Sequence, residues 1–329
     1  MNPLKPNSRR ILSAVACLAC LTAGLPAHSQ TKNVIVLVGD DLNDQVGFLG
    51  EPDVQTPNLD RLAERGMVFA NAHCQSPLCN PSRTSFLSGK RPETTRVMDN
   101  FTPPDFYISD ITMLHQFFDQ NGYHTGVIGK LVQMRFQNEP VVANGIDEYS
   151  PLGPGWRSDQ REAEPSTLIG EYYAYEGSDD YLVDSEKKRR AITFLQNAAH
   201  KEEPFYLYVG FRNTHRQAYV PARYFELYPP ESLSLPPEPS DAQRQELGQL
   251  FGGRGAPLTP TEEQEYLILR QGYFASATYL DDMIGEILDA TEKLDLLQDT
   301  IIVFFSDHGE STTPWQGGKG SLWRDGTRV

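Results

Sequence analysis

The sequence predicts an α/β fold in which a mostly parallel central sheet carries helices on both faces. Strand-like runs alternate with helical patterns along the chain, which is the order that a parallel sheet requires. The run at 34–38 is apolar without alternation, as expected for a strand buried on both faces. Polar residues follow several of these runs directly, and ligands of open α/β sheets bind at the carboxyl ends of strands.

The first expected helix follows the strand at 34–38. Thr56 is a favourable N-cap residue, Pro57 suits the first helical position, and Gly66 suits the end of the helix. A short strand at 68–70 is expected to lead from this helix towards the next motif.

Cys79 is expected at the N-terminus of the second helix. Pro81 is tolerated in a first helical turn, residues 84–87 continue the helix, and Gly89 ends it. Free N–H groups and the helix dipole favour anions at this end of a helix. The position therefore suits a negative charge that develops on the side chain of residue 79.

The rest of the chain continues to alternate. The expected helices cover 111–120, 184–199 and a long stretch from a capping box at Thr261 and Gln264 to residue 294, and the expected strands cover 123–128, 205–211 and 300–305. The long helix has a possible kink at Gly272. A set of apolar residues at helical spacing is expected in the core, namely Met113, Leu114, Phe117 and Phe118.

Two long stretches are rich in glycine, proline and polar residues. Residues 137–180 are interpreted as a surface excursion of the kind that shapes a pocket, and residues 228–261 as a connecting loop. Neither stretch indicates a separate domain.

Composition limits the classes of function. The chain has 329 residues, 39% hydrophobic and 22% charged, which is an ordinary globular balance and enough for one large domain or two. The formal net charge of −15 argues against non-specific nucleic-acid binding, which needs a basic surface. An anionic substrate remains compatible with this charge, because a local cluster of lysine and arginine can outweigh the global field.

Residues 1–29 are typical of an export signal. Its positive residues, apolar run and cleavage site are Lys5, Arg9 and Arg10, residues 11–25, and Ala27-His28-Ser29. We therefore expect a periplasmic or secreted protein with no transmembrane segment after signal removal. A lipoprotein is the alternative, since Cys17 and Cys20 lie in the signal, although the residues before them fit a lipidation site poorly. The two remaining cysteines are too few for a disulfide scaffold.

Polar residues stand at the carboxyl ends of four expected strands. They are Asp40 and Asp41, Lys130, His215, and Asp307 and His308. Because parallel strands end at one rim of a sheet, these side chains are expected to lie together. The paired carboxylates have two readings, as caps of a turn or as ligands of a hard cation such as Ca²⁺. Lys130 is either a solvated lysine or an anion-binding ammonium, and His215 is either a structural residue or a catalyst.

The stretch Cys79-Asn80-Pro81-Ser82-Arg83 matches the pattern C-x-P-S-R. A buried free thiol at a helix start is one interpretation of Cys79. The pattern also resembles the maturation signature of the sulfatases, in which a maturation enzyme oxidises the cysteine to the aldehyde formylglycine. Short motifs match by chance, so the order of the other motifs matters.

Those motifs follow the order of a type I sulfatase, a formylglycine-dependent family of the alkaline phosphatase superfamily. They are the strand ending in Asp40-Asp41, Cys79 with Ser88-Gly89-Lys90-Arg91-Pro92, Gly129-Lys130, His215, Ser306-Asp307-His308-Gly309 and Lys319-Gly320-Ser321-Leu322-Trp323. The resemblance covers nearly all of the mature chain. The segment 91–96 and the histidine at 308 look most like the iduronate-2-sulfatase branch.

The resemblance implies a metal site and a set of catalytic residues. Ca²⁺, or Mg²⁺, would be bound by Asp40, Asp41, Asp307, His308 and an oxygen of the modified Cys79. The formylglycine hydrate would attack sulfur in line, and loss of a second diol proton would release sulfate. The residues around that step would be Arg83 at the hydrate, Lys130 and Lys319 at the sulfate oxygens, and His215 at the leaving alcohol.

Two features depart from the family pattern. Gln133 occupies the position where a histidine is expected soon after Lys130, and glutamine cannot act as a base near neutral pH. The sequence also ends at Val329, where relatives continue into further strands and a smaller subdomain. Residues 30–329 are therefore expected to be a sulfatase catalytic domain that is incomplete at its C-terminus and has an unpaired sheet edge.

Three functions follow from these observations. The first is an exported sulfatase that releases sulfate from a sulfated sugar or polysaccharide. The second is a phosphoester or phosphonate hydrolase of the same superfamily, against which the Cys79 motif weighs. The third is a truncated, non-catalytic relative that binds sulfated glycans, which Gln133 and the early end of the chain favour.

Overall fold

A computed structural model describes residues 31–151, 166–236, 240–243, 245, 257–313 and 318–329. The expected export signal at 1–29 lies outside these residues. The part from Asn33 to Val329 forms one contiguous unit. Among the described residues, no helix is both long and apolar enough to cross a bilayer.

The main sheet has five strands, and every pair of neighbours is parallel. Its strands are β1 (Asn33–Gly39), β2 (His124–Gly129), β3 (Glu148–Ser150), β6 (Phe205–Gly210) and β8 (Thr300–Ser306). The spatial order is β3-β2-β6-β1-β8, so β1 pairs with β6 on one side and with β8 on the other. The predicted parallel sheet and its α/β fold class are confirmed.

Helices cover both faces of this sheet. They are α1 (Pro57–Arg65), α2 (Cys79–Ser88), α3 (Pro92–Thr95), α4 (Asp105–Ile108), α5 (Leu114–Gln120), α6 (Pro140–Ala143), α7 (Val183–Ala198), α8 (Ala222–Phe225), α9 (Pro260–Lys293) and α10 (Arg324–Thr327). Short 3₁₀ helices cover Gly47–Leu49, Met134–Phe136, Asp179–Tyr181, Pro230–Ser232 and Leu297–Asp299.

The alternation of β1 divides the apolar core into two clusters. Ile35 and Leu37 pack in a cluster with residues of α7 and α9. Val36 and Val38 pack on the opposite face, in a cluster that includes Leu87 of α2. Successive strand residues point to opposite faces, so a run that is apolar throughout requires a layer of helices on each side.

A second, three-stranded sheet corrects the interpretation of residues 137–180. Within and beyond that stretch, β4 (Ser166–Ile169) pairs antiparallel with β5 (Tyr172–Tyr175), and β5 pairs parallel with β7 (Tyr219–Pro221). The same stretch also supplies β3 to the main sheet. These strands are only three or four residues long, too short to show an alternation in the sequence. Residues 152–165 lie outside the described part.

The expected strand at 68–70 is wrong. These residues are irregular, and Phe69 is 73% exposed. A strand needs a neighbour to hydrogen-bond, and within the described residues none lies there. Within the described residues, the main sheet has the unpaired edge that the sequence led us to expect. There β8 pairs with β1 alone, and its Ile301 and Val303 are 52% and 40% exposed.

Two helix boundaries differ from those expected. The cap of α9 is Thr259, whose hydroxyl accepts from the Glu262 N–H while the Glu262 carboxylate accepts from the Thr259 N–H. Pro260 at the first helical position favours this start over Thr261. The helix at 111–120 begins only at Leu114, and Phe117, expected in the core, is 54% exposed. The 34-residue helix α9 is continuous through Gly272, where a Cβ would lie 2.6 Å from the Tyr172 ring.

The N-terminus of α1 is capped from another helix. Thr56 occupies the N-cap as expected, but its hydroxyl accepts from the Gly47 N–H and gives no cap hydrogen bond. The Asp281 carboxylate of α9 takes over, accepting from the N–H groups of Asn58 and Leu59 at 3.0 and 2.7 Å. Burial raises the pKa of Asp281 to about 6, against the effect of these donors. This contact fixes α1, and with it the loop after β1, on the helical layer.

Replacing Asp281 with alanine should lower the free energy of unfolding by about 2–3 kcal/mol, because two N–H groups at the start of α1 lose their acceptor. Urea denaturation followed by circular dichroism measures the loss. Glu286→Ala is the control, since its carboxylate is 56% exposed on the same helix and should change stability by less than about 0.5 kcal/mol. Equal losses in the two variants would contradict the interhelical cap.

Candidate active site

Cys79 is the first residue of α2 and is 1% exposed. Leu78 is the N-cap, and Gly89 ends the helix in the left-handed conformation with φ of 66°. Both ends therefore agree with the sequence. Cys79 Sγ lies 3.1 Å from Lys319 Nζ and 3.3 Å from His308 Nε2, so the sulfur faces two nitrogen groups at the helix N-terminus.

Asp40, at the end of β1, is fully buried and is held by two cations. Its carboxylate oxygens lie 2.7 and 2.6 Å from Lys130 Nζ, and one of them lies 3.4 Å from Arg83 Nη2. Burial alone would raise the pKa of Asp40, but the charges of Lys130 and Arg83 hold it well below the usual value. Asp40 is therefore a permanent anion, and its partners come from β2 and α2.

Asp41 carries the second half of the site. Its carboxylate lies 2.7 and 2.8 Å from Lys319 Nζ, 3.2 Å from His308 Nε2 and 3.9 Å from Cys79 Sγ. Burial would raise the pKa of Asp41, yet Lys319 and the two histidines His215 and His308 lower it to about 2. Burial likewise opposes the charge on His308, and the carboxylates of Asp307 and Asp41 raise its pKa to about 10.

Arg83 lies in the middle of these groups with no exposed surface. Its Nε donates to Asp307 at 2.7 Å, Nη1 donates to the Lys130 carbonyl and to the Tyr208 hydroxyl, and Nη2 faces Asp40. Every nitrogen of the guanidinium is thus engaged by the protein. Burial would lower the pKa of Arg83, but Asp307 above all raises it.

Asp307 follows β8 and organises the loop beside it. Besides the Arg83 contact, its Oδ1 accepts from the N–H groups of Asp41 and His308 at 3.1 and 2.9 Å. The Asp307 carbonyl accepts from the Ser82 hydroxyl. One carboxylate therefore fixes the ends of β1 and β8 and the start of α2 relative to each other.

Four of these residues could hold a metal ion. Ligand atoms of Asp40, Asp41, Cys79 and His308 all lie within 4.8 Å of one another, and all four residues are buried. Buried carboxylate oxygens suit a hard divalent cation, and the two ammonium groups that now occupy them could turn to an incoming anion. The donor set therefore fits a divalent cation, whereas Asp307, also predicted as a ligand, lies outside this group of four and is bound to Arg83.

His215 follows β6 and is also near this cluster. Its Nε2 lies 3.9 Å from Asp41, its Nδ1 faces the Arg216 carbonyl at 2.8 Å, and its side chain is 31% exposed. Burial lowers the pKa of His215, and the two aspartates oppose this effect. Of the sequence-predicted site residues, all nine are thus brought to one rim of the sheet, listed as Asp40, Asp41, Cys79, Arg83, Lys130, His215, Asp307, His308 and Lys319.

Residues 32–329 match the family model described as Sulfatase. The chain belongs to the sulfatase family. Human iduronate 2-sulfatase is 30% identical over 338 residues, which cover 95% of this chain and 60% of that protein. The chain thus spans about 60% of the length of this curated relative.

Solved structures share the fold of this family member at lower identity. The phosphonate monoester hydrolase of Agrobacterium radiobacter superposes with a TM-score of 0.71 at 19% identity, over 90% of this chain and 66% of that one. A protein solved with its substrate D-glucosamine-2-N,6-O-disulfate gives 0.64 at 22% identity, over 87% and 67%. These likenesses establish the fold.

A buried ion pair behind the site was not predicted. Asp184 of α7 accepts from the N–H groups of Arg212 and Asn213, at 2.9 and 2.8 Å, and Lys187 Nζ lies 2.6 Å from the Asp184 carboxylate. The pair therefore fixes the turn that carries His215. A lysine within the apolar helix pattern was the available signal, because buried lysines require a partner.

Two further polar groups at the site were missed. Tyr208 lies in the fully buried strand β6, and its hydroxyl donates to the Lys130 carbonyl at 3.2 Å. Glu310 is 2% exposed and lies 3.0 Å from Arg216 Nη2, while Arg216 also contacts Glu171. Burial raises the pKa of Glu310. Hydroxyls inside a fully buried strand, and an acid directly after the 306–309 motif, were the signals in the sequence.

Asp184→Asn should lower the free energy of unfolding by about 3 kcal/mol, because the buried Lys187 ammonium loses its counter-charge. Adding Lys187→Met should recover at least about 1 kcal/mol, since the uncompensated charge is removed. Urea denaturation of the two single variants and the double variant gives the coupling energy.

The exposed pair Lys188–Glu286 serves as the control for this cycle. Its ammonium lies 2.8 Å from a carboxylate that is 56% exposed, so the same substitutions there should couple by less than about 0.5 kcal/mol. Additive losses at Asp184 and Lys187 would show that the ion pair does not hold this turn.

Proposed function

We propose that this family member is an exported sulfuric ester hydrolase that releases sulfate from a sulfated sugar or polysaccharide. The observation that carries the proposal is the surroundings of Cys79 Sγ, which shares a buried hollow with two carboxylates and lies 3.1 Å from an ammonium group. An oxidisable sulfur at a helix N-terminus, among cations, suits a nucleophile that attacks an anionic ester.

The chemistry of the substrate follows from the charges at this hollow. A sulfate ester spreads negative charge over its oxygens as the S–O bond breaks, so fixed cations aimed at those oxygens lower the barrier. Lys130 and Lys319 supply two such cations, each now paired with an aspartate. The name of the human relative and the glucosamine disulfate of the structural neighbour support a sulfated carbohydrate as the substrate class.

Two groups would complete the site. The formylglycine made from Cys79 by a maturation enzyme would supply, as its hydrate, the oxygen that attacks sulfur. Ca²⁺ or Mg²⁺, held by Asp40, Asp41, His308 and the modified residue 79, would neutralise charge on the sulfate oxygens. Asp307 would support this site by holding Arg83 and the N–H groups of Asp41 and His308 in place.

Proton transfers fall to the remaining side chains. His215, which lies 3.9 Å from Asp41 and is part exposed, would serve the bridging oxygen of the leaving alcohol. Gln133 can orient a group by hydrogen bonding but cannot accept the second diol proton. Because Gln133 replaces the histidine of the family pattern, we expect either that another base near the hydrate accepts this proton or that turnover is slow.

Oxidation of Cys79 can be tested by mass. In a host that contains the maturation enzyme, the peptide around Cys79 should lose about 18 Da, the difference between a thiol and an aldehyde. Fragmentation of this peptide supplies the internal control, because Cys74, the other described free cysteine, should keep its thiol mass. An intact thiol at residue 79 under these conditions would remove the proposed mechanism.

Hydrolysis of a small aryl sulfate tests the reaction itself. Cys79→Ala should abolish sulfate release, and Lys319→Met should lower kcat/KM by about 10²–10³, because a cation at the developing charge is lost. Cys74→Ala is the matched control and should retain activity. Preference for an aryl phosphate would favour the phosphoester hydrolase, and glycan binding without sulfate release would favour the non-catalytic relative.

A further inference from the structure

The segment between α3 and α5 exposes several aromatic rings beside two guanidinium groups. Phe101 and Phe106 are 70% and 76% exposed, and Tyr107 is 42% exposed. The rings of Phe106 and Tyr107 lie edge to face with centroids 4.9 Å apart. Single exposed apolar residues are common, but several in one short segment indicate an interaction site.

The two guanidinium groups stack on these rings. Arg96 Cζ lies 5.8 Å from the Tyr107 centroid, and Arg135 Cζ lies 5.1 Å from the Phe101 centroid. In the part of the chain that the structure describes, neither forms an ion pair with a carboxylate within 4.0 Å. Unpaired arginines are notable in a chain with a net charge of −15. A stacked guanidinium keeps its N–H edge free for an anion.

Carboxylates of the same segment are occupied elsewhere. Asp99 Oδ1 accepts from the N–H groups of Phe101 and Thr102 and from the Thr102 hydroxyl, at 2.7–2.9 Å. Asp105 Oδ1 accepts from the Val141 N–H at 2.8 Å. Asp99 and Asp105 therefore shape the backbone, and among the described residues neither carboxylate pairs with Arg96 or Arg135.

This aromatic–guanidinium surface (Arg96, Phe101, Phe106, Tyr107 and Arg135) is connected to the start of α2 and to the segment that follows β2. Asn80, next to Cys79, donates three hydrogen bonds to the segment. Its acceptors are the Asn100 side chain and the carbonyls of Asp99 and Thr102, at 2.8–3.0 Å. Arg135 lies in the 3₁₀ helix that follows the loop carrying Lys130. The segment that carries Phe101 is therefore held by hydrogen bonds to the residue next to Cys79.

We propose that the aromatic–guanidinium surface binds sugar units of a sulfated polysaccharide that flank the ester at Cys79. This inference rests on the proposed function and narrows its substrate to a polymer. Aromatic rings offer flat apolar faces for sugar rings, and guanidinium groups bind sulfate or carboxylate in a bidentate manner. Aromatic rings that lie beside guanidinium groups match the sugar rings and negative charges that follow each other along such a polymer.

The test compares a long ligand with a short one. Phe101→Ala/Phe106→Ala and Arg135→Ala should each raise the Kd for a heparin octasaccharide by about five-fold or more, and that for a heparin disaccharide by less than about two-fold. Rates on the aryl sulfate should stay within about two-fold of the unmodified sequence. Phe117→Ala and Lys293→Ala, an exposed aromatic and an exposed cation elsewhere, are the controls and should change neither Kd.

The outcomes separate this inference from the proposed function. If the protein hydrolyses the aryl sulfate and the variants bind the octasaccharide as tightly as the unmodified sequence, the polysaccharide-binding surface is refuted and the sulfatase proposal stands. If the protein has no sulfatase activity but the variants bind the octasaccharide more weakly, the polysaccharide-binding surface stands and the sulfatase proposal is refuted. A loss of affinity that is equal for both lengths, or a change of oligomeric state in the variants, would also overturn the polymer site, since the rings would then serve the hollow or a protein contact.

Discussion

The site depends on one buried guanidinium. Arg83 has no exposed surface and binds Asp307 and Asp40 together with the Lys130 carbonyl and Tyr208. These partners come from the ends of different strands, while Arg83 itself lies on α2, one turn after Cys79. A fully desolvated charge of this kind is stable only if every donor has an acceptor. Arg83 therefore fixes the distance between α2 and the sheet.

These contacts indicate a mainly structural role for Arg83, whereas the family resemblance implies a contact with the formylglycine hydrate. Four of the five N–H donors of Arg83 are engaged by the protein, which leaves at most one N–H of Nη2 for a substrate oxygen. Lys130 and Lys319 differ in this respect, because each ammonium contacts carboxylate oxygens that a metal ion could take instead. The lysines can then turn to an anion, whereas Arg83 holds Asp40 and Asp307 in place.

The sequence predicted the parallel sheet and the convergence of polar groups for a physical reason. Parallel strands end at one rim, so the residues after β1, β2, β6 and β8 had to meet there, and Asp40, Lys130, His215 and Asp307 do so. Boundaries set by long-range contacts could not be predicted in this way. The cap of α1 comes from Asp281, some 220 residues away, and no local pattern near Thr56 announces it.

Short strands could not be predicted from the sequence for a related reason. A strand of three or four residues, such as β7, carries too little pattern to be distinguished from a loop, and its partner decides whether it forms. Residues 68–70 have the composition of a strand but no neighbour within the described residues, whereas Tyr219–Pro221 finds β5.

The residues that follow Cys79 on α2 also explain why residues far apart in sequence lie together. Asn80 holds the segment that carries Phe101, and Ser82 and Arg83 hold Asp307, so three polar residues of α2 reach two distant parts of the chain. The short motif around Cys79 is thus a structural junction as well as a chemical one. A substitution at Asn80 would disturb the surrounding segment without removing any group from the hollow, while one at Arg83 would release the rim of the sheet from the helix.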